Sequence, residues 1–360
     1  MKENTYSNQY QHGTIAFSSA IHTEAIHQAG KLVRTSAPSF ENMIFIDTET
    51  TGLSGGAGTF AFLVGVGSFV HQEGFRLQQF ILHDPSEEKA MLLHLTNLIQ
   101  DESVFVSFNG KSFDIPLLQN RLVVNRIPAN FRERDHLDIL HLSRKIWGRQ
   151  LSSCTLKDLE ANVLHLARTS EDVPGWMIPD IYFRYLLDHD PVPLADVIYH
   201  NAQDVVSLAA LFIHITRLLE ADLNQMEIST EDLIAISSIY WNLHSYETAH
   251  TILQSCEKRD LTRSQLARVH GMLGRYSKQQ RLLSEAADHW QIAARNGDFA
   301  SCVDLAIYYE HEARDINSAI KWTKHGQALI PNTVSATNRR LHNELNKRLT
   351  RLQMKEGKNV

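Results

Sequence analysis

Strand-like patterning in this chain stops early and never resumes, and that asymmetry decides what it can fold into. "MIFID" (43–47), "FAFLVGVGSFV" (60–70) and "FRLQQFIL" (75–82) are short, apolar or alternating, and divided by glycine-containing turns. They read as a three-stranded antiparallel meander. "SEEKAMLLHLTNLIQ" (86–100) opens with a serine cap and two glutamates, then runs at helical spacing. "SVFVSFNG" (103–110) is a further strand, and most of the remainder up to 220 is helical. Beyond about 225 only helix pairs follow: 231–241 with 245–256, 263–274 with 281–295, and 298–311 with 316–329. The expected architecture is an α/β domain with one mixed sheet over 41–220, then an all-α domain over 226–355. Residues 1–40 read as a peripheral arm with a short helix around 18–33.

The helical part carries a weak internal echo. Ala249-x-x-Ile252, Ala287-x-x-Trp290 and Ala319-x-x-Trp322 recur at spacings of 38 and 32. These spacings bracket the ~34-residue tetratricopeptide period, although the full repeat signature is missing. Small residues where helices cross, with a large one a turn later, suit stacked hairpins.

Composition excludes several classes. With 360 residues and 43% apolar content, two ordinary domains can bury their cores without disulfides. Cys154, Cys256 and Cys302 are far apart and form no CxxC pair, so a reducing compartment is expected and a thiolate zinc cluster is not. The polar start "MKENTYSNQYQHG" has no apolar core of a signal peptide. No apolar run reaches the ~18 residues of a membrane span, so the expected location is cytoplasmic. Residues 41–220 carry 23 Asp+Glu against 14 Lys+Arg, whereas 221–360 carry 16 against 18. The last stretch adds Arg339, Arg340, Lys347, Arg348, Arg351, Lys355 and Lys358 against Glu344 and Glu356. This basic tail reads first as a solvated helix face, with local phosphate contact as the alternative.

"FIDTETTGL" (45–53) is the chemically informative stretch. A buried strand ends there, and its Asp47 and Glu49 point to one face because strand side chains alternate with period two. Two adjacent carboxylates repel, and a divalent cation compensates for that. Three further stretches supply partners. In "SFNGKSFDIPLL" (107–118), Asp114 lies where a helix begins after a turn carrying Asn109 and Gly110. In "YHNAQDVVSLAALF" (199–212), Asp204 lies four residues after His200, so the two share a helix face. Asp138 in "HLDILHL" (136–142) reads as a supporting or structural group. Phosphodiester hydrolysis needs an activated water, a stabilised leaving oxygen and charge compensation at phosphorus, which two divalent ions ~4 Å apart supply. Carboxylate ligands select Mg²⁺ or Mn²⁺. His200 fits a group that accepts or orients the water's proton. "GLSGGAGTF" (52–60) lacks the Lys-Ser/Thr ending of a phosphate loop, so triphosphate binding is not expected.

The ordered combination "IDTETTGL … NGKSFD … HNAQDVVSL" resembles the DEDD superfamily of 3′–5′ exonucleases, on an RNase H-like fold, over about 41–220. More narrowly, the chain is similar to bacterial predicted exonucleases with helical repeats after the nuclease domain. The resemblance implies two Mg²⁺ or Mn²⁺ ions held by Asp47, Glu49, Asp114 and Asp204. Asp47 would bridge both ions, Glu49 and Asp204 would complete the water-bearing site, and Asp114 would serve the second ion. It also implies that Thr50 and Leu53 contact the 3′ nucleotide, and that Asn109 and Phe113 line the base or sugar path. The last motif departs from both common subtypes. One has His five residues before the final Asp, where this chain has Tyr199. The other has Tyr four residues before it, where this chain has His200. Helical i,i+4 geometry favours His200 as the catalytic group, with Tyr199 as the alternative. Trp176 reads as a hydrophobic anchor, or else as a cap on the site. The expected partner is single-stranded DNA or RNA, with a protein partner possible through the helical domain and no membrane. Rival readings are a nucleic-acid-binding adaptor without catalysis and a structure-specific endonuclease on the same fold.

Overall fold

The computed structural model describes residues 1–17, 22–32, 37–52, 58–168, 173–220, 228–331 and 335–357. The chain divides into two compact units, Met1–Asp222 and Leu223–Val360.

The first unit is built on a mixed sheet. Its strands are β1 (Lys2–Tyr6), β4 (Met43–Thr50), β5 (Ala61–Val70), β6 (Gly74–Ile81), β7 (Val104–Ser107) and β8 (His136–Asp138). A two-residue hairpin, β2 (Gln11–His12) and β3 (Ile15–Ala16), stands apart from it. The sheet order is β1-β6-β5-β4-β7-β8. The β4-β5-β6 meander is antiparallel, as its turn-divided pattern predicts, while β7 and β8 add in parallel. The first strand comes from the segment expected to be a peripheral arm. Lys2–Tyr6 pairs antiparallel with β6, and Tyr6, Tyr10, Phe17 and Phe75 form one aromatic cluster. Helix α1 (Glu24–Gly30) follows in the same segment.

Alternation along β4 sorts the core onto two faces. Ile44 and Ile46 join Phe62, Val64, Val66, Phe105, Leu118 and Tyr182 on one face. That face is covered by α2 (Glu88–Leu98), α3 (Asp114–Val124) and α6 (Ile178–Asp188). Ahead of α2 a short 3₁₀ turn is capped by Asp84, which accepts from the Ser86 amide, so the cap is not the serine itself. Phe45 faces the other way, against Phe69, Phe75 and Phe212. Phe212 belongs to α7 (Val192–Glu220), which follows α4 (Ile139–Trp147), α5 (Leu156–Asn162) and α6. Each such fully buried aromatic contributes about 1.5–3 kcal/mol. Helix α7 is long and apolar enough to cross a membrane, but 78% of its most apolar window is buried. Gly65 explains how α7 lies so close to the sheet. A Cβ there would stand 2.4 Å from Asn201 Oδ1 and 2.8 Å from Val205 Cγ2.

The second unit is helical: α8 (Thr230–Asn242), α9 (Tyr246–Glu257), α10 (Arg263–Gln279), α11 (Leu283–Arg295), α12 (Phe299–His311), α13 (Ile316–Leu329) and α14 (Ala336–Glu356). The boundaries follow the helix pairs expected from the sequence to within a few residues. Ala249, Ala287 and Ala319 are all buried on the second helix of their hairpins, with Ile252, Trp290 and Trp322 a turn later. The α10–α11 contact is tight: a Cβ on Gly274 would meet the Trp290 indole at 2.4 Å. The basic side chains of α14 are partly committed. Arg348, Arg351 and Lys355 converge on Glu310, whose side chain is fully buried, at 3.2, 2.7 and 2.7 Å.

Candidate active site

The site begins where β4 outruns its parallel neighbour. Strand β7 pairs only with Met43–Phe45, while β5 accompanies β4 through Thr50. Asp47 and Glu49 therefore stand at the carboxyl end of a central strand with one edge uncovered, the usual place for a ligand in a sheet of this kind. They lie on the α7 face. Asp47 Oδ2 accepts from Asn201 Nδ2 at 2.8 Å. Asn201 is itself held by Gln79, whose Nε2 donates to Asn201 Oδ1 at 2.9 Å. A register shift between Glu49 and Thr50 re-aims the strand end.

Asp114 arrives from β7 through a tight turn. Ser107 Oγ accepts from the Gly110 amide at 3.1 Å and contacts His136 Nε2 at 2.7 Å. Asn109 takes a left-handed conformation, φ 66°, which asparagine tolerates better than most residues. Asp138 accepts from the amides of Asn109 at 2.8 Å, Lys111 at 3.3 Å and Leu140 at 3.1 Å. It pins the turn that delivers Asp114 and also caps α4. The Thr48 hydroxyl, on the far side of β4 from Asp47, donates to Asp114 Oδ1.

Helix α7 supplies the remainder. His200 Nε2 lies 3.6 Å from Asp204 Oδ2 and 3.9 Å from Glu49 Oε1. Arg168 donates to Asp204 Oδ1 and forks onto Glu160, while its Nη1 lies 3.3 Å from His200 Nδ1. Guanidinium has donors only, so this contact puts the proton of a neutral His200 on Nε2, the nitrogen facing the carboxylates. Glu160, 1% exposed, also accepts from Ser207 at 2.5 Å, and Ser207 contacts His12 at 2.7 Å. A buried polar chain thus links the N-terminal hairpin to the carboxylate cluster. Tyr199 has another setting: 38% exposed, it lies near Tyr6 and Tyr10, whose pKa values are raised first by burial and only then by Tyr199.

Burial and mutual charge raise the carboxylates of the cluster together. Burial, then Asp204 and Asp114, push Asp47 well above the ordinary carboxylate range. Burial, then Asp47, does the same to Glu49. Asp204 is raised by burial against the pull of His200 and Arg168. Asp114 is raised by burial to about 6 despite its bond from Thr48. Arg168 lowers Asp47, Glu49 and Asp204 against this push, but Glu160 also claims it. The donor set is all hard oxygen and suits Mg²⁺ or Mn²⁺.

Beside it lies a cavity of about 340 Å³ lined by Asp47, Glu49, Asn109, Phe113, Asp114 and Ile178, among others. Thr50 lines it too, with its hydroxyl turned to the Gly52 carbonyl at 3.0 Å. Leu53 lies outside the described residues. Phe113 is 58% exposed rather than packed in the core. Trp176 is 74% exposed, so it is not the buried anchor its apolar surroundings suggest, and its neighbour Gly175 lines the cavity. Arg168, Asn201 and Glu160 were not legible as site residues. Only the i,i−3 spacing of Asn201 from Asp204, which places it on the same face of α7, signals any of them.

The sheet order, with the acidic cluster at the carboxyl end of its central strand, is that of an RNase H-like domain. Residues 44–216 match the RNase H superfamily, a span that encloses all four carboxylates. The chain is also 31% identical over 337 residues to the "Uncharacterized protein YprB" of Bacillus subtilis (strain 168), covering 89% of this chain and 78% of that one. The matched domain points to nuclease-type phosphodiester hydrolysis, for which RNase H-like nucleases generally use divalent metals.

Proposed function

We propose that this protein is a DEDD-type 3′–5′ exonuclease that hydrolyses single-stranded DNA or RNA with two Mg²⁺ or Mn²⁺ ions. One observation carries the reading: Asp47, Glu49, Asp114 and Asp204, from three separated segments, converge with His200 beside a cavity that holds an exposed phenyl ring. The four carboxylates would hold the ions, which when bound supply an activated water and stabilise the leaving oxygen. The chain's own groups do the rest. Asn201 fixes the Asp47 carboxylate. Thr48 fixes Asp114 from the opposite face of the strand. Phe113 offers a face on which an unstacked terminal base rests without readout of its identity, with Asn109 and Thr50 along the nucleotide path. His200 orients the attacking water through Nε2. To accept its proton there, the ring takes the Nδ1–H tautomer, so Arg168 must first leave Nδ1. The helical unit has the buried small-then-large pattern of tetratricopeptide-like hairpins and would present a platform for a protein partner. Its basic tail is a weaker phosphate contact than its charge suggests, because three of the cations are held on Glu310.

The test uses end-labelled single strands of matched DNA and RNA, 3′ ends free or blocked, in Mn²⁺ or EDTA. The proposal predicts a metal-dependent ladder that a blocked 3′ end abolishes. Cleavage of circular strands identifies an endonuclease instead, and a mobility shift without cleavage identifies an adaptor.

A further inference from the structure

The second unit holds a ligand cluster far in sequence from the carboxylates. Glu257 is the last residue of α9, His270 lies in the middle of α10 and His289 in the middle of α11. The two imidazoles face each other through Nδ1, 3.0 Å apart. Glu257 Oε1 lies 3.6 Å from one Nδ1 and 3.9 Å from the other. Three donor atoms thus form a triangle with edges of 3.0, 3.6 and 3.9 Å. Four-coordinate zinc with bonds of ~2.0–2.2 Å sets its donors ~3.3–3.6 Å apart, and the observed edges bracket that spacing.

A plain hydrogen bond explains the arrangement poorly. If one neutral ring carries its proton on Nδ1, that proton meets two acceptors at once, the facing Nδ1 and Glu257 Oε1. Glu257 also places a negative charge at the carboxyl terminus of α9, where the helix dipole disfavours it. A cation at the centre of the triangle answers both. The imidazoles are graded in exposure, His270 buried and His289 half-buried, with Glu257 exposed. A fourth position therefore opens outward.

We infer that Glu257, His270 and His289 form a binding site for a transition-metal cation of the zinc class, with three protein ligands and one open position. Two imidazoles and one carboxylate suit zinc better than Mg²⁺, which prefers an all-oxygen shell. Because the ligands come from three consecutive helices, the ion clips the first hairpin of the second unit to the next one. The site needs no part of the carboxylate cluster.

The experiment titrates Zn²⁺ into the full-length Asp47→Ala chain in excess Mg²⁺, so that the carboxylate site does not compete. Calorimetry gives stoichiometry, and Co²⁺ substitution gives visible d–d bands diagnostic of low coordination number. One Zn²⁺ per chain is expected, with a rise in the unfolding temperature. His289→Ala and Glu257→Gln, both at accessible positions, should each weaken Zn²⁺ binding at least ~10-fold and abolish the Co²⁺ bands. His270→Ala should do the same, and far-UV circular dichroism checks that each variant keeps its helix content. No Zn²⁺ uptake, or uptake with the same affinity in His289→Ala and Glu257→Gln, overturns the inference.

Discussion

Replacing Asp114 by Asn should make the metal-free protein more stable while it disables the site. In the fold this carboxyl is buried and its pKa is raised from the ordinary 3.8 to about 6. A group with a raised folded-state pKa prefers its neutral form, so folding loses free energy as pH climbs from the unfolded to the folded value. At about 1.4 kcal/mol per tenfold, the carboxylate costs the apo-protein about 3 kcal/mol above pH 6. Asn has the same shape, carries no charge and keeps an oxygen to accept from Thr48. The gain should be absent near pH 4, grow between pH 4 and 6, and level off above. The assay is urea unfolding of wild type and Asp114→Asn in EDTA across that range, repeated with Mn²⁺. Mn²⁺ should stabilise the wild type more than the variant and so narrow the gap. An equally stable or less stable variant at pH 8 in EDTA, or a gain that ignores pH, would refute the reasoning.

His200→Ala should slow single-turnover hydrolysis under saturating Mn²⁺ by ~10²–10⁴ while Mn²⁺ binding persists, because the carboxylates remain. Tyr199→Phe should do much less, since that hydroxyl is near Tyr6 and Tyr10; the reverse ranking would assign the water to Tyr199. Gly65→Ala puts a methyl 2.4 Å from Asn201 Oδ1 and should cost about 1–3 kcal/mol of stability, with lost activity as Asn201 is forced off Asp47. Denaturant unfolding and hydrolysis rates measured on the same preparation check both halves.

What was legible in the sequence is what depends on local pattern. The meander strands and the six paired helices follow from alternation and helical spacing, and their observed limits differ from the expected ones by a few residues. Asp47 and Glu49 were legible near a strand end and Asp114 at a helix start, while Asp204 was legible through its four-residue spacing from His200 on one helix. Strand β1 was hidden: "KENTY" is polar, as a half-exposed edge strand can be, and its pairing is with β6, some seventy residues on. Arg168 and Glu160 were hidden for a related reason. Their importance comes from meeting each other, Asp204 and His200 in space, and no periodicity within either segment encodes that meeting. Asp138 was read as supporting or structural, and its three amide bonds give it that setting. Trp176 misled because apolar neighbours do not bury a side chain at the rim of a cavity.

Asp47 is the residue on which the account depends most, since its carboxylate accepts from Asn201 and is raised by the charges of Asp204 and Asp114. The direct test measures Mn²⁺ binding by electron paramagnetic resonance and single-turnover hydrolysis of a labelled single strand, for wild type and Asp47→Ala. The account predicts that the variant keeps its circular dichroism spectrum, loses Mn²⁺ binding and hydrolyses slower by several orders of magnitude. Hydrolysis by Asp47→Ala at the wild-type rate, with unchanged Mn²⁺ dependence, would contradict it.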